Sequence, residues 1–395
     1  ELLGRVFENL LASYNPETKT TARKQTGSFY TPREIVNYMV DESLKAYLKQ
    51  ALSDKLGTKE EDPETGLDIL FSYTEKEHAF SDEETAALIE AIDNCKILDP
   101  ACGSGAFPMG ILHKFVHILH KLDPKNERWK ERQLFKARQI DDPAIRDRLI
   151  EDIESAFENN ELDYGRKLYL IENCIYGVDI QPIAVQIAKL RFFISLAVDE
   201  KKQPGRENLG IRSLPNLETK FVAANTLIGL EKQMFLRTPE IDRFENELKE
   251  IRHHYFNAKS RKEKLFFQKK DKVLRQNIAM LLERDGLGRA TAEQIVAFDP
   301  YDQNKSSSFF NTEWMFGIQN GFDVVIGNPP YIQSGKLKHL KSSLEKEYED
   351  FYCGTADIYT FFMKKGLELA NSSGWLCYIT SNKYMRAGYG KNIRE

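Results

Sequence analysis

Leu98-Asp99-Pro100-Ala101-Cys102-Gly103-Ser104-Gly105-Ala106-Phe107 is the stretch that decides the fold. An apolar run reaches an acidic residue, turns through two glycines and opens onto the helical periodicity of Met109 to Lys121. Strand, glycine turn and helix together form the opening unit of a doubly wound parallel sheet. The glycines let the backbone approach a ligand, and the helix start offers N–H groups without intrahelical partners. A carboxylate at the strand end suits a ligand bearing an ammonium and repels a diphosphate, which disfavours NAD and ATP.

Outward from this unit the alternation of short apolar runs and amphipathic helices continues. It predicts strands at Lys96–Leu98, Ile175–Val178, Lys220–Ala223, Phe322–Ile326 and Trp375–Thr380, and helices at Met109–Lys121, Pro182–Ala197 and Ile358–Ala370, with Gly374 as the stop after the last. Two connections, Asp123–Glu172 and Glu231–Gly317, exceed what a crossover needs and read as helical insertions. Ahead of the sheet, a short helix is expected over Leu2–Tyr14, loop through Gln25, polar turns over Lys55–Glu64 and a helix over Glu83–Ile92. Thr31-Pro32-Arg33-Glu34 reads as a helix start, with Thr31 as N-cap, Pro32 at the first helical position and Glu34 reaching back. Ile35, Val36, Met39, Val40 and Leu44 then form its apolar stripe. The resulting division is 1–95 helical, 96–230 first half of the sheet with an insertion at about 123–172, 231–317 helical insertion, and 318–395 second half of the sheet.

A length of 395 residues at 41% hydrophobic and 29% charged composition allows a large core in two or three domains. No apolar run is long enough to span a bilayer, and the first residues carry neither a basic leader nor an initiator Met, so a cytoplasmic fragment with no membrane partner is expected. The five cysteines form no Cys-x-x-Cys pair, which fits a reducing compartment. A net charge of −4 excludes a surface that is a nucleic-acid footprint throughout, so any DNA contact is local. The one basic segment runs through Arg252, Lys259, Arg261, Lys262, Lys264, Lys269, Lys270, Lys272 and Arg275, opposed by Glu263 and Asp271. It reads equally as a solvated helical hairpin or as a phosphate-contacting arm.

Two further strings carry chemistry. Tyr176-Gly177-Val178-Asp179-Ile180 ends a strand in a carboxylate, which in nucleoside-binding sheets accepts ribose hydroxyls. Gly321 to Tyr331 runs an aliphatic strand into Asn328-Pro329-Pro330-Tyr331. The prolines remove two N–H donors and stiffen the backbone, leaving carbonyls free to face a cleft. The Asn328 oxygen and the Pro329 carbonyl can accept both hydrogens of one exocyclic amine, while Tyr331 offers a face to a planar ring. His113, His117 and His120 share a helix without a nearby carboxylate, so no metal site is expected.

With these strings in order, the chain resembles the γ-type N6-adenine DNA methyltransferases of type IIG restriction-modification and BREX phage-defence systems. Thr26-Gly27-Ser28-Phe29-Tyr30-Thr31-Pro32 looks like the family's N-terminal cofactor motif, which precedes the glycine loop in the γ order. The resemblance implies an α/β Rossmann-like sheet that binds S-adenosyl-L-methionine, with Phe29, Tyr30, Thr31, Asp99, Ala101, Gly103, Gly105, Phe107, Asp179, Ile180, Asn225 and Leu227 as cofactor residues. Asn328, Pro329, Pro330 and Tyr331 would be the catalytic group, acting on an adenine flipped out of double-stranded DNA. Ala356-Asp357-Ile358-Tyr359 and Ser381-Asn382-Lys383 continue the likeness. Where the family often has Asp at the end of the third strand, Ala224-Asn225-Thr226-Leu227 supplies an amide, which both donates to and accepts from an adenine edge. A recognition domain, a fused or associated nuclease and two further strands are expected outside residues 1–395, leaving the sheet truncated. Two alternatives stand beside this reading: a protein glutamine N5-methyltransferase, which shares the tetrapeptide, and a non-catalytic subunit gated by bound cofactor.

Overall fold

The computed structural model describes residues 14–15, 20–21, 31–57, 63–139, 143, 146–147, 150–151, 154, 162–199, 214–230, 238–333, 335 and 340–394. Short strands β1 (Tyr14–Asn15) and β2 (Thr20–Thr21) pair antiparallel, so Tyr14 ends in a strand where a helix end was expected, and part of the stretch read as loop forms the partner. Then follow α1 (Arg33–Leu56), α2 (Pro63–Phe71), α3 (Asp82–Asn94), β3 (Ile97–Asp99), α4 (Ala106–Leu122), α5 (Glu127–Arg138), α6 (Leu162–Asn173), β4 (Ile175–Asp179) and α7 (Pro182–Ala197). The second half holds β5 (Phe221–Ala223), α8 (Pro239–Phe256), α9 (Arg261–Arg284), α10 (Arg289–Ala297), α11 (Thr312–Phe316), β6 (Phe322–Gly327), α12 (Lys341–Glu347), α13 (Ile358–Leu369) and β7 (Ala370–Tyr378).

Strands β3 to β7 form one sheet in the order β5-β4-β3-β6-β7, with every neighbouring pair parallel. Alternate residues face opposite layers. Ile97, Ile175, Phe221, Val324 and Ile326 enter one core with α1, α3, α4, α6 and α7, whereas Leu98, Tyr176, Val178, Val222 and Val325 enter a second with Phe309, Phe310, Phe316 and Leu369. Strands covered on both faces read in sequence as continuous apolar runs, which is why β3 to β6 were recognisable, whereas β7, Ala370–Tyr378, is partly exposed along its length. From β3 the chain winds outward through β4 and β5, then returns to build β6 and β7 on the other side. The crevice at the carboxyl ends of β3 and β6 is therefore the topological switch point, where open α/β sheets bind ligands.

Helix α1 begins one residue later than its sequence suggests. Pro32 is the N-cap rather than the first helical residue, and no side chain caps the helix, Thr31 and Glu34 included. Val36, Met39, Val40, Leu44, Leu48 and Leu52 carry its buried stripe onto the sheet and α4. By contrast α3 has a complete capping box, Ser81 with Glu84. Gly374 is not a helix stop. Leu369 ends α13, and Gly374 lies within β7, where an added Cβ would stand 2.6 Å from the Phe322 carbonyl oxygen at the irregularity in the β6–β7 pairing.

Both long connections contain packed helices. In the first, α6 enters the main core through Tyr164, Leu170 and Ile171. In the second, α8, α9 and α10 enclose a core of their own around Ile241, Leu248, Leu274, Ile278 and Trp314. Two members of the basic segment are structural. Arg252 Nε donates to Asp271 Oδ2 at 2.9 Å and Arg275 Nε to Asp271 Oδ1 at 2.6 Å, and both guanidiniums also donate to backbone carbonyls. Burial opposes ionisation of Asp271, yet the two guanidiniums hold its carboxyl below the usual range. The α8–α9 turn packs at the amino ends of the strands: Asn216 Nδ2 donates to the Tyr255 carbonyl at 2.7 Å and the Ala258 carbonyl at 3.1 Å, and His253 meets Glu172. Among the described residues no helix is long and apolar enough to cross a membrane.

Candidate active site

At the carboxyl end of β3, Asp99 is 2% exposed and its Oδ1 accepts the Ala101 N–H at 3.1 Å. The turn that follows is tied to β4 by Cys102 N–H on the Val178 carbonyl at 2.8 Å. Gly103 takes φ +51° with nothing within 4 Å of where a Cβ would sit, so backbone is open to a ligand at this point. On β4, Asp179 accepts the Gly103 N–H at 2.9 Å and the Gln181 N–H at 2.8 Å. Burial pushes the Asp179 carboxyl up to about 6 despite those two hydrogen bonds. Burial pushes Asp99 well above the usual range, and the neighbouring Asp179 adds to it. Two desolvated acids side by side favour a ligand that brings positive charge and hydroxyl donors.

Asn225 follows β5. Its Oδ1 accepts the Leu227 N–H at 3.2 Å, which occupies one acceptor position and leaves the amide hydrogens as its principal offer. Thr226 Oγ1 donates to the Pro100 carbonyl at 2.7 Å, so this turn and the glycine turn are locked together. Ile180, just past Asp179, is 53% exposed beside the carboxylate. Ala101 is partly buried; Phe107 and Leu227 are core residues, Phe107 under the sheet and Leu227 among Leu344, Tyr348 and Phe361. Gly105 packs against Ala188 of α7. Phe29 and Tyr30 lie outside the described residues.

Strand β6 delivers the tetrapeptide beside Asp99. A Cβ on Gly327 would stand 2.7 Å from Asp99 Oδ1, so only glycine lets the two strand ends lie this close. Asn328 is half-buried, and its Nδ2 donates to Thr31 Oγ1 at 3.2 Å. Pro329 is buried, and among the described residues its carbonyl accepts no hydrogen bond. Pro330 continues the turn, half-buried. Tyr331 donates its hydroxyl to the Ile379 carbonyl at 2.7 Å and meets Tyr359 with ring centroids 5.8 Å apart. Its phenol is pushed up to about 12 by burial, with Asp357 adding to the shift. Asp357 Oδ1 accepts the Ile332 N–H at 3.1 Å and its side chain caps α13, which anchors the end of the tetrapeptide loop.

The fold thus gathers Thr31, Asp99, Gly103, Asp179, Asn225 and Asn328 to Tyr331 around one end of the sheet. Sequence reasoning missed Tyr378, which is level with Gly327 in β7; burial raises its hydroxyl well above the ordinary value, and Asp99 contributes. Its position depends on the register of β6 against β7, which no local pattern specifies. The Ile379 carbonyl was equally invisible, being backbone. His117 bonds the Ser72 carbonyl at 2.9 Å, and among the described residues no group of three or more acidic, His or Cys side chains could hold a metal.

The sequence model for the Eco57I restriction-modification methylase family matches residues 173–395. A putative type II restriction enzyme and methyltransferase of Methanocaldococcus jannaschii is 28% identical over 244 residues, covering 58% of this chain and 16% of the relative. The type II restriction enzyme and methyltransferase Eco57I of Escherichia coli is 20% identical over 310 residues, covering 76% and 21%. The adenine-specific methyltransferase BrxX of Escherichia coli O9:H4 is 23% identical over 370 residues, covering 90% and 26%. The chain spans about a sixth to a quarter of the length of these relatives.

Proposed function

The chain belongs to the Eco57I restriction-modification methylase family, and from that premise we propose that it methylates the exocyclic N6 of adenine in double-stranded DNA with S-adenosyl-L-methionine, within a restriction-modification or phage-defence system. The observation that carries the reading is the junction of Asn328 and Pro329, after β6, with the buried Asp99 and the half-buried Asp179 at the switch point. The open Gly103 backbone and the two acids fit this cofactor: Asp99 suits its ammonium and Asp179 its ribose hydroxyls. When bound, the cofactor supplies an electrophilic methyl group on a sulfonium.

Adenine N6 is a weak nucleophile because its lone pair is delocalised into the ring. Asn328 Oδ1 and the Pro329 carbonyl accept its two hydrogens, which draws the nitrogen towards a pyramidal geometry and frees the lone pair. Tyr331, its hydroxyl fixed on Ile379, presents a ring for the flipped base to stack on. With the cofactor bound, its methyl group would pass to the N6 held by Asn328 and Pro329, the electron pair of the broken S–C bond would stay on sulfur, and one amine proton would leave to water. Positioning and electrostatics do the catalysis, with no covalent enzyme intermediate. Two relatives are named as both restriction enzyme and methyltransferase, which supports a nuclease in the same full-length protein. Asn328→Ala in that full-length protein tests the reading: cofactor binding is expected to persist while methyl transfer falls by about 100-fold or more, and unchanged transfer refutes it.

A further inference from the structure

Thr31 stands one residue before Pro32, the N-cap of α1; its sequence context reads as a cap, yet the Thr31 hydroxyl does not cap the helix and is engaged elsewhere. It accepts the Asn328 Nδ2–H at 3.2 Å, across 297 positions of sequence. Thr31 is 6% exposed, and the helix behind it is anchored by the buried Val36, Met39 and Val40, so the hydroxyl occupies a rigid position.

A primary amide is nearly symmetric in shape and opposite in chemistry at its two arms. For Asn328 to accept a hydrogen from a substrate amine, Oδ1 must face the amine; the flipped amide would oppose one N–H with another. Shape alone does not select between the two orientations, so a polar partner must. We infer that Thr31 is that partner: a positioning residue for methyl transfer, whose hydroxyl oxygen accepts from the Nδ2 arm and so holds Oδ1 toward the substrate amine. The inference rests on the proposed role of Asn328. It assigns the threonine of the N-terminal motif a task in catalysis distinct from holding the cofactor.

The test uses the full-length enzyme with Thr31→Val, which keeps the shape and removes the hydroxyl, and Thr31→Ser, which restores it. In Thr31→Val, kcat at saturating DNA and cofactor is expected to fall about 10- to 100-fold, the scale of misorienting a catalytic group. The dissociation constant for S-adenosylhomocysteine, measured by calorimetry, should stay within about threefold, since a lost transition-state contact lowers kcat without weakening ground-state binding. Thr31→Ser should recover most of the loss, and melting temperatures separate misfolding from misorientation. If Thr31→Val weakens cofactor binding while sparing kcat, or changes neither, the positioning role is overturned. Asn328→Ala assayed alongside distinguishes the two failures: full activity in that variant removes the underlying reading, whereas its inactivity beside a normal Thr31→Val refutes the Thr31 role alone.

Discussion

Asp179 shows how a single side chain is tuned. Its carboxyl sits at about 6 because burial disfavours the charge more than the Gly103 and Gln181 N–H groups restore it. The ionised form is the better acceptor of ribose hydroxyls, and a raised value means that this form is complete only above pH 6. Cofactor affinity should therefore be flat at alkaline pH and weaken by about tenfold per unit once pH falls below 6. Calorimetry at pH 8 and pH 5 checks this, and equal affinities would contradict it. The local strings holding Asp99, Asp179 and Asn328 to Tyr331, which the fold brings to one end of the sheet, stood out in sequence. The partner of Thr31 did not, because the local preference for capping lost to a tertiary contact that no spacing encodes.

At the scale of elements, β3, β4, β5 and β6 were legible because they are buried on both faces, whereas β7 at the sheet edge is partly exposed along its length, and the helices were legible from their apolar stripes. Boundaries moved by a residue or two, most at β7, which begins at Ala370, where a helix end and a glycine stop were expected. The basic hairpin was least legible, since charge in sequence does not say what it faces. Arg252 and Arg275 are consumed by Asp271, and the remaining Lys259, Arg261, Lys262, Lys269, Lys270 and Lys272 are exposed on an arm whose turn packs at the amino ends of the strands. Asn328 lies at the carboxyl ends. Replacing Lys259, Lys262, Lys269 and Lys270 by Gln should leave the salt dependence of DNA binding unchanged. Each lost phosphate contact would instead lower the slope by about 0.9, and such a drop would restore the arm as a DNA-contacting element.

For the whole molecule, winding order is what converts separate motifs into a site. The chain builds β3, β4 and β5, crosses the helical insertion, and returns to set β6 directly beside β3, so residues more than two hundred positions apart abut where Gly327 meets Asp99. The net charge of −4 argues against a surface that is a nucleic-acid footprint throughout. The central claim is that the Asn328-Pro329 junction methylates N6 of adenine. It is tested most directly by digesting duplex DNA to nucleosides after incubation with the full-length protein and labelled cofactor, and identifying the labelled product by mass spectrometry. The account predicts label in N6-methyldeoxyadenosine with the native protein and none above background with Asn328→Ala; label in N4-methyldeoxycytidine, or label in protein with none in DNA, would contradict it.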